Sequence, residues 1–283
     1  MINKIKNLIN LNNLDGYIVP KNDNYFTEYS NVNNLEKISN FTGSAGFALI
    51  LKDINYLFVD GRYILQAEKQ SGKNFIILEI PNIWPKDLKK IKDKKIGFDP
   101  KLFTELTLKK YFDNYARLVP IKYNFKNNIK KKINKIYFLK KKIVGETCYS
   151  KLAKIKQHMN GNQIDYFYVS AGENVNWLLN IRGKDLPNSP LANCKLILTK
   201  LGRLFLFADL RKVINLNKRM LGNITFCKES EFLNIISTFK KGNFGIDRNT
   251  CSIFEKQIIS SKFKIIKEVD PIYHLKSLKN KTE

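Results

Sequence analysis

The chain repeats itself once, and that repeat limits what it can fold into more than any other feature. Residues 14–19 read LDGYIV and residues 164–169 read IDYFYV. Residues 47–62 read FALILKDINYLFVDGR, and residues 195–211 read KLILTKLGRLFLFADLR. Residues 96–99 read IGFD and residues 244–247 read FGID. Equivalent acids are separated by 150 positions (Asp15 and Asp165), 149 (Asp60 and Asp209) and 148 (Asp99 and Asp247). Three blocks at a nearly constant offset imply two copies of one topology. A chain of 283 residues then divides into two domains of about 125 residues each.

Each copy has the same grammar. An amphipathic helix comes first, with Ile2, Ile5, Leu8 and Ile9 in copy one and Leu152, Ile155 and Met159 in copy two. Ser150 is the expected N-cap of the second of these helices. A strand follows at Tyr17–Val19 and at Tyr166–Val169. Next comes a hairpin turning at Asp53-Ile54-Asn55 in copy one and at Leu201-Gly202-Arg203 in copy two. Further strands are expected at Phe75–Ile80 and Ile224–Cys227, then the Gly-x-Asp strands, then helices at Leu102–Phe112 and Ile253–Ile259. Strands near Leu118–Ile121 and Ile265–Val269 end the copies. Strands alternating with helices, plus a hairpin, predict an α/β domain with a mixed β-sheet flanked by helices.

The expected division is residues 1–125, a Lys-rich linker at 126–149, residues 150–272, and a final piece at 273–283. The linker holds KNNIKKKINKIYFLKKK from Lys126 to Lys142. So charged a stretch, with little core pattern, is expected to be an exposed connection.

The net charge is +25, from 50 Lys and Arg against 25 Asp and Glu. Such a balance raises nucleic-acid binding. Only seven of the fifty are Arg, however, and it is the Arg fork that reads bases and phosphates bidentately. Lys, Asn and Ile are all abundant, which fits an AT-rich genome better than a nucleic-acid reader. The first residues, MINKIKNLINLNNL, lack an apolar signal-peptide core, and no apolar run reaches the ~18–20 residues of a membrane helix. A soluble, cytoplasmic protein with no membrane partner is expected.

The four cysteines, Cys148, Cys194, Cys227 and Cys251, form no Cys-x-x-Cys pair, so zinc-knuckle and redox motifs are absent. His158 lies in a helical stretch and is read as a surface or helix-end residue; His274 follows Pro271. Neither points to a Ser/His/Asp triad. The GSAG of residues 43–46 is read as a turn, because the following FALILK is a strand, whereas a nucleophile elbow or phosphate loop leads into a helix.

ISNFTGSAGFALI followed by YLFVDGRYILQAEKQ resembles the N-terminal domain of the creatinase/prolidase-like Xaa-Pro aminopeptidase family. VGETCYSKLAKIKQHM and NVNWLLNIRGKDLPNSPLA resemble a second copy of that domain, as in the long, three-domain members. DPIYHLKSLKNKTE resembles the opening of the third domain. The resemblance implies two tandem homologous creatinase-N-terminal-like, ribonuclease-H-like domains. It also implies that catalysis belongs to a pita-bread metallopeptidase domain. There two divalent ions, commonly manganese, sit on two Asp, one His and two Glu and activate water against the Xaa-Pro amide. The sequence stops at Glu283, so no catalytic residue, metal ligand or cofactor is expected within it. An excised fragment, a natural truncation and a split gene all fit, with a mild tilt to truncation.

In copy one, Asp60 is expected to cap a helix, Gly61 to make the turn and Arg62 to pair with a nearby acid. The alternative has Arg62 and Tyr63 shaping a substrate entrance. In copy two Trp177 reads as core, while Arg182, Asp185 and Pro187 lie in a loop stiffened by Pro187 and Pro190. By resemblance that loop faces the catalytic domain. Asp60, Arg62, Tyr63, Trp177, Arg182, Asp185 and Pro187 are therefore candidates for substrate access or interdomain contact, not for bond cleavage. The expected partners are a catalytic metallopeptidase domain, Xaa-Pro peptides and, in the assembled enzyme, a second copy. Two other readings stay open: a retained binding or oligomerisation module, and a basic nucleic-acid binder.

Overall fold

The computed structural model describes residues 1–27, 29, 33–123, 133–214, 216 and 221–283. The chain forms two compact units, Met1–Asn128 and Ile129–Glu283. The expected linker begins outside the described residues, which resume at Ile133.

The first unit runs α1 (Ile2–Leu11), β1 (Gly16–Pro20), α2 (Asn34–Ser39), β2 (Gly46–Leu51), β3 (Asn55–Asp60), α3 (Ile64–Ser71), β4 (Ile76–Ile80), β5 (Lys95–Phe98), α4 (Glu105–Phe112) and β6 (Arg117–Pro120). Among the described residues its sheet has six strands in the order β4-β3-β2-β1-β5-β6. The β1–β2 and β2–β3 pairs are antiparallel; β3–β4, β1–β5 and β5–β6 are parallel.

The second unit runs β7 (Tyr137–Phe138), α5 (Lys141–Val144), α6 (Cys148–Gly161), β8 (Tyr166–Val169), α7 (Gly172–Leu178), β9 (Ile181–Arg182), β10 (Lys195–Thr199), β11 (Leu204–Phe207), α8 (Leu210–Val213), β12 (Ile224–Cys227), α9 (Phe232–Thr238), β13 (Asn243–Asp247), α10 (Ile253–Ser260), β14 (Lys264–Glu268) and α11 (Pro271–Ser277). Its main sheet, β12-β11-β10-β8-β13-β14, repeats the first strand for strand, with the same parallel and antiparallel neighbours. The two units are copies of one mixed-sheet topology, as the repeated blocks require.

Period-two alternation explains the layers. In the first unit Tyr17, Val19, Ala48, Ile50, Leu57 and Val59 point to one face, where they meet Ile5 and Ile9 of α1 and Ala67 of α3. Phe47 and Phe58 point to the other and stack at 4.6 Å; Phe47 also stacks on Tyr111 of α4 at 4.2 Å. In the second unit Phe167, Val169, Leu196 and Leu206 face Ile155 and Met159 of α6. Tyr168, Ile197, Phe205 and Phe207 face Phe232 and Ile236 of α9 and Ile259 of α10. Both faces of each sheet are covered, which is why the central strands read as continuous apolar runs.

The Gly of each Gly-x-Asp strand has a packing reason. A Cβ on Gly97 would lie 2.6 Å from Tyr17 Cδ2, and one on Gly245 would lie 2.5 Å from Phe167 Cδ2. In both copies an aromatic ring of the adjacent first strand takes the room a side chain would need.

Three expectations change. The helix of copy two starts at Cys148, and its N-cap is Thr147, whose side chain accepts from Ser150 N; Ser150 lies inside the helix. Helix α4 starts at Glu105, capped by Thr104, rather than at Leu102. The part of the charged stretch that is described, 133–149, is partly packed rather than wholly exposed. Ile136 and Val144 are buried, and β7 pairs antiparallel with β9. Apolar residues spaced among the lysines let this segment bury one side while its Lys heads stay in water.

Candidate functional site

The candidates fall into one cluster per unit. In the first, Asp60 ends β3 and turns back onto the next turn of chain. Its Oδ1 accepts from Arg62 N at 3.0 Å and from Arg62 Nε at 2.7 Å. The acid that pairs with Arg62 is thus its own cap residue. Those hydrogen bonds hold the Asp60 carboxyl below its ordinary pKa. Tyr63 Oη and Ser44 Oγ are 2.9 Å apart, and the Tyr63 ring meets Phe41 edge-on at 5.8 Å. Thr42 Oγ1 accepts from Gln66 and Gln70 Nε2 of α3. The FTGSAG turn is therefore tied to the start of α3. It leads straight into β2, so no helix N-terminus follows it.

Copy two repeats the same cap. Asp209 Oδ1 accepts from Arg211 N at 3.0 Å and from Arg211 Nε at 3.0 Å, and Oδ2 accepts from Arg211 Nη2 at 2.7 Å. These bonds push Asp209 down to about 2. Equivalent acids in a duplicated sheet thus do the same local work, which supports the capping reading of Asp60.

The second cluster is built around α7 and β9. Trp177 is 8% exposed, in the core as expected. Its indole Nε1 donates to Glu283 Oε1 at 3.1 Å, and Lys151 Nζ sits 3.7 Å from the ring centroid. Lys151 is fully buried; it donates to Trp177 O and to Asn180 Oδ1 at 2.8 Å. Burial lowers its pKa to about 8. Arg182 belongs to strand β9 rather than to the loop, and its Nη1 donates to the Asn176 and Ile181 carbonyls. Burial also lowers the Arg182 pKa.

The loop after β9 is held at both ends. Gly183 N donates to Pro190 O, Asp185 N to Leu191 O, and Asn193 N to Asp185 Oδ2. Lys212 Nζ donates to Asp185 Oδ1 at 2.6 Å. Asn176, which the sequence reading passed over, is 0% exposed; it donates to Ala192 O and accepts from Ala192 N. A Cβ on Gly183 would lie 2.7 Å from Ala192 Cβ. Pro187, Asn188 and Pro190 stay exposed at the tip.

The loop is also where the copies differ. Asn40 and Asn180 both take left-handed φ at the end of equivalent helices, 64° and 54°. The offset is 140 from Asn40 to Asn180 and from Gly43 to Gly183, but 148 from Ala48 to Leu196, which pair with the equivalent Val19 and Val169. Eight residues are therefore inserted in copy two between Gly183 and Leu196. Insertions of this kind sit on surfaces and carry function more often than core elements do.

The chemistry of these clusters is that of charges held by fixed partners. Asp60, Asp209 and Asp185 are each engaged by a cation. His158 Nε2 lies 2.9 Å from Glu268 Oε2. All four thiols are buried, and burial raises their pKa values. Among the described residues, no three His, Cys, Asp or Glu side chains are grouped so as to hold a metal ion, and no chemistry is assigned to one here. No helix among them is long and apolar enough to cross a membrane.

Models of the creatinase/prolidase N-terminal domain match residues 1–126 and residues 127–283. The chain belongs to the creatinase/prolidase N-terminal domain family. It is 28% identical to a probable Xaa-Pro aminopeptidase P of Laccaria bicolor, over 99% of this chain and 47% of that protein. It is 29% identical to Xaa-Pro aminopeptidase 1 of Dictyostelium discoideum, over 100% of this chain and 49% of that protein. The chain spans about half the length of these curated relatives. Among solved structures it is similar to an X-prolyl aminopeptidase of Caenorhabditis elegans, described as a cytosolic enzyme with a di-nuclear active site. The TM-score is 0.82 at 21% identity, over 95% of this chain and 48% of that one. At that identity the likeness shows the fold: two creatinase/prolidase N-terminal domains in tandem.

Proposed function

We propose that these two creatinase/prolidase N-terminal domains are the non-catalytic part of a metal-dependent Xaa-Pro aminopeptidase, where they shape access of peptides to the catalytic domain. In this reading residues 1–125 and 150–272 are the paired domains, 126–149 joins them, and 273–283 leads toward the catalytic domain. Two divalent ions, manganese by preference, would belong to that catalytic domain. The protein would work in the cytoplasm on Xaa-Pro peptides, with a second copy as a further partner. Asp60, Arg62 and Tyr63 would shape one part of the entrance. Trp177, Arg182, Asp185 and Pro187 would shape another.

The observation that carries this reading is the eight-residue insertion pinned by Asn176 and Asp185. A loop whose ends are fixed by hydrogen bonds presents Pro187 and Pro190 already ordered, so little entropy is lost when a peptide or domain meets it. The match along the whole chain to proteins named Xaa-Pro aminopeptidase supports the same reading.

The test mixes this chain with the separately produced C-terminal half of the Dictyostelium relative. Association is expected, together with a KM for Xaa-Pro peptides that differs from that of the C-terminal half alone. Arg182→Ala or Pro187→Gly in this chain should then move KM several-fold with little change in kcat. No association, or a kcat and KM indifferent to this chain, would overturn the proposal.

A further inference from the structure

In the second unit, one carboxyl is sealed where α11 leaves β14. Asp270 is 2% exposed. Its Oδ1 accepts from Ile272 N at 2.9 Å, which caps α11. Its Oδ2 accepts from Asn174 Nδ2 of α7 at 2.8 Å. Its own N–H donates to Asp247 Oδ2 at the end of β13, at 3.1 Å, which brings a second carboxylate alongside.

The cation that α11 supplies does not pair with Asp270. Lys276 Nζ donates instead to Asn174 Oδ1 at 2.7 Å. Asn174 is fully buried and stands between the lysine and the acid, its amide giving to one and accepting from the other. Two further charged residues nearby have partners of their own. Glu173 of α7 accepts from Tyr273 Oη at 2.9 Å, and Glu268 of β14 is held by His158 of α6. Asp247 is an acid, and its charge favours the neutral form of Asp270, against the opposing Lys276 charge.

We infer that the seating of α11 on α7 is a proton-linked latch: a neutral Asp270 side chain holds the helix down, and its ionisation loosens it. An anion buried against neutral donors, with the Lys276 ammonium one amide away, is costly to keep. A neutral carboxyl in the same place is not. Burial first, and then the Asp247 charge, raise Asp270 to about 6, against the lowering effect of Asn174, the Ile272 N–H and Lys276. Once α11 lifts and the side chain meets water, the ordinary value of 3.8 returns. Between about pH 4 and pH 6 the seated form therefore binds more protons than the lifted form, so raising the pH across that window favours lifting. Outside the window both forms share one protonation state and the balance is flat. Helix α7 also carries Asn176 and Trp177, so the latch acts on the element that anchors the inserted loop. The inference stands on this chain alone, whatever becomes of the proposed enzyme.

Hydrogen exchange of the α11 amides, corrected for intrinsic rates, tests it on the full chain from pH 4 to pH 7. Protection should fall on the order of 100-fold across the window and level off above about pH 6. Asp270→Asn should flatten that slope while leaving any His158–Glu268 effect on β14 in place. Because this variant could fail to fold, the wild-type Asp270 carboxyl is also followed by 13C resonance, with a midpoint near pH 6 expected. An α11 protection independent of pH, a slope unchanged by Asp270→Asn, or a carboxyl midpoint near 4 would each overturn the latch.

Discussion

Glu255→Ala is expected to destabilise the second unit by about 3–5 kcal/mol, read as a fall in its urea midpoint. Glu255 on α10 is 8% exposed, and its partner Lys195 on β10 is 5% exposed. Lys195 Nζ donates to Glu255 Oε1, and Ser252 Oγ donates to Glu255 Oε2 at 2.8 Å. Glu255 thus closes the capping box of α10 and neutralises the first residue of a central strand at once. Removing it takes away the carboxylate that pairs with an ammonium buried inside the sheet. Replacing both, as Lys195→Met with Glu255→Leu, should recover most of the loss, because the buried charge disappears with its partner. Burial alone would raise the Glu255 pKa; the Lys195 charge and the hydrogen bonds from Lys195 and Ser252 outweigh it and hold the carboxyl below its ordinary value. Its contribution is therefore fully present above about pH 4.5 and is lost as the pH falls through the lowered folded value. A loss under 1 kcal/mol for Glu255→Ala would contradict the buried-pair account.

Gly46→Ala should be the most damaging small substitution in the first unit. Gly46 closes the FTGSAG turn at φ 154°, and a Cβ there would lie 2.7 Å from Phe58 O, a backbone atom of the paired strand. A carbonyl in a ladder cannot rotate aside as a side chain can. Backbone strain contributes roughly 1–3 kcal/mol and overpacking a similar amount. Gly161→Ala is the matched control: it ends α6 with nothing within 4 Å of the added Cβ, and it should be neutral or stabilising by up to about 1 kcal/mol. Thermal melts of the two variants should separate by many degrees. Equal melting temperatures would mean that the turn carries no such constraint.

Much of this architecture is legible in the residues because duplication supplies its own control. A strand guessed from Tyr17–Val19 gains weight when Tyr166–Val169 stands 150 places on, and the ladders β1–β2 and β8–β10 confirm both. What the residues hide is what pattern reading treats as surface. Lys151, Lys195 and Glu255 are polar letters in amphipathic stretches, yet all three are buried, because each meets partners from a different element. Thr147 displaced Ser150 as a cap because the two lie three residues apart in a sequence where either could start the helix. The packed side of 133–149 was obscured by its lysines, although Ile136 and Val144 are visible once their neighbours in space are known. At the candidate site Asp60, Trp177 and Asp185 were found by motif. Asn176 was not, since an Asn inside a helix gives no local sign that both ends of its amide grip Ala192, in the loop sixteen residues on. The offset changing from 140 to 148 across the loop is the signal that leads there.

Under the proposed function, peptide hydrolysis lies outside these two domains. The most direct test is to incubate the purified 283-residue chain with an Xaa-Pro peptide and manganese and to follow release of the N-terminal residue. No turnover above the metal-only background is predicted, at any pH from 6 to 9. Release that survives repurification and rises in proportion to the chain would contradict it.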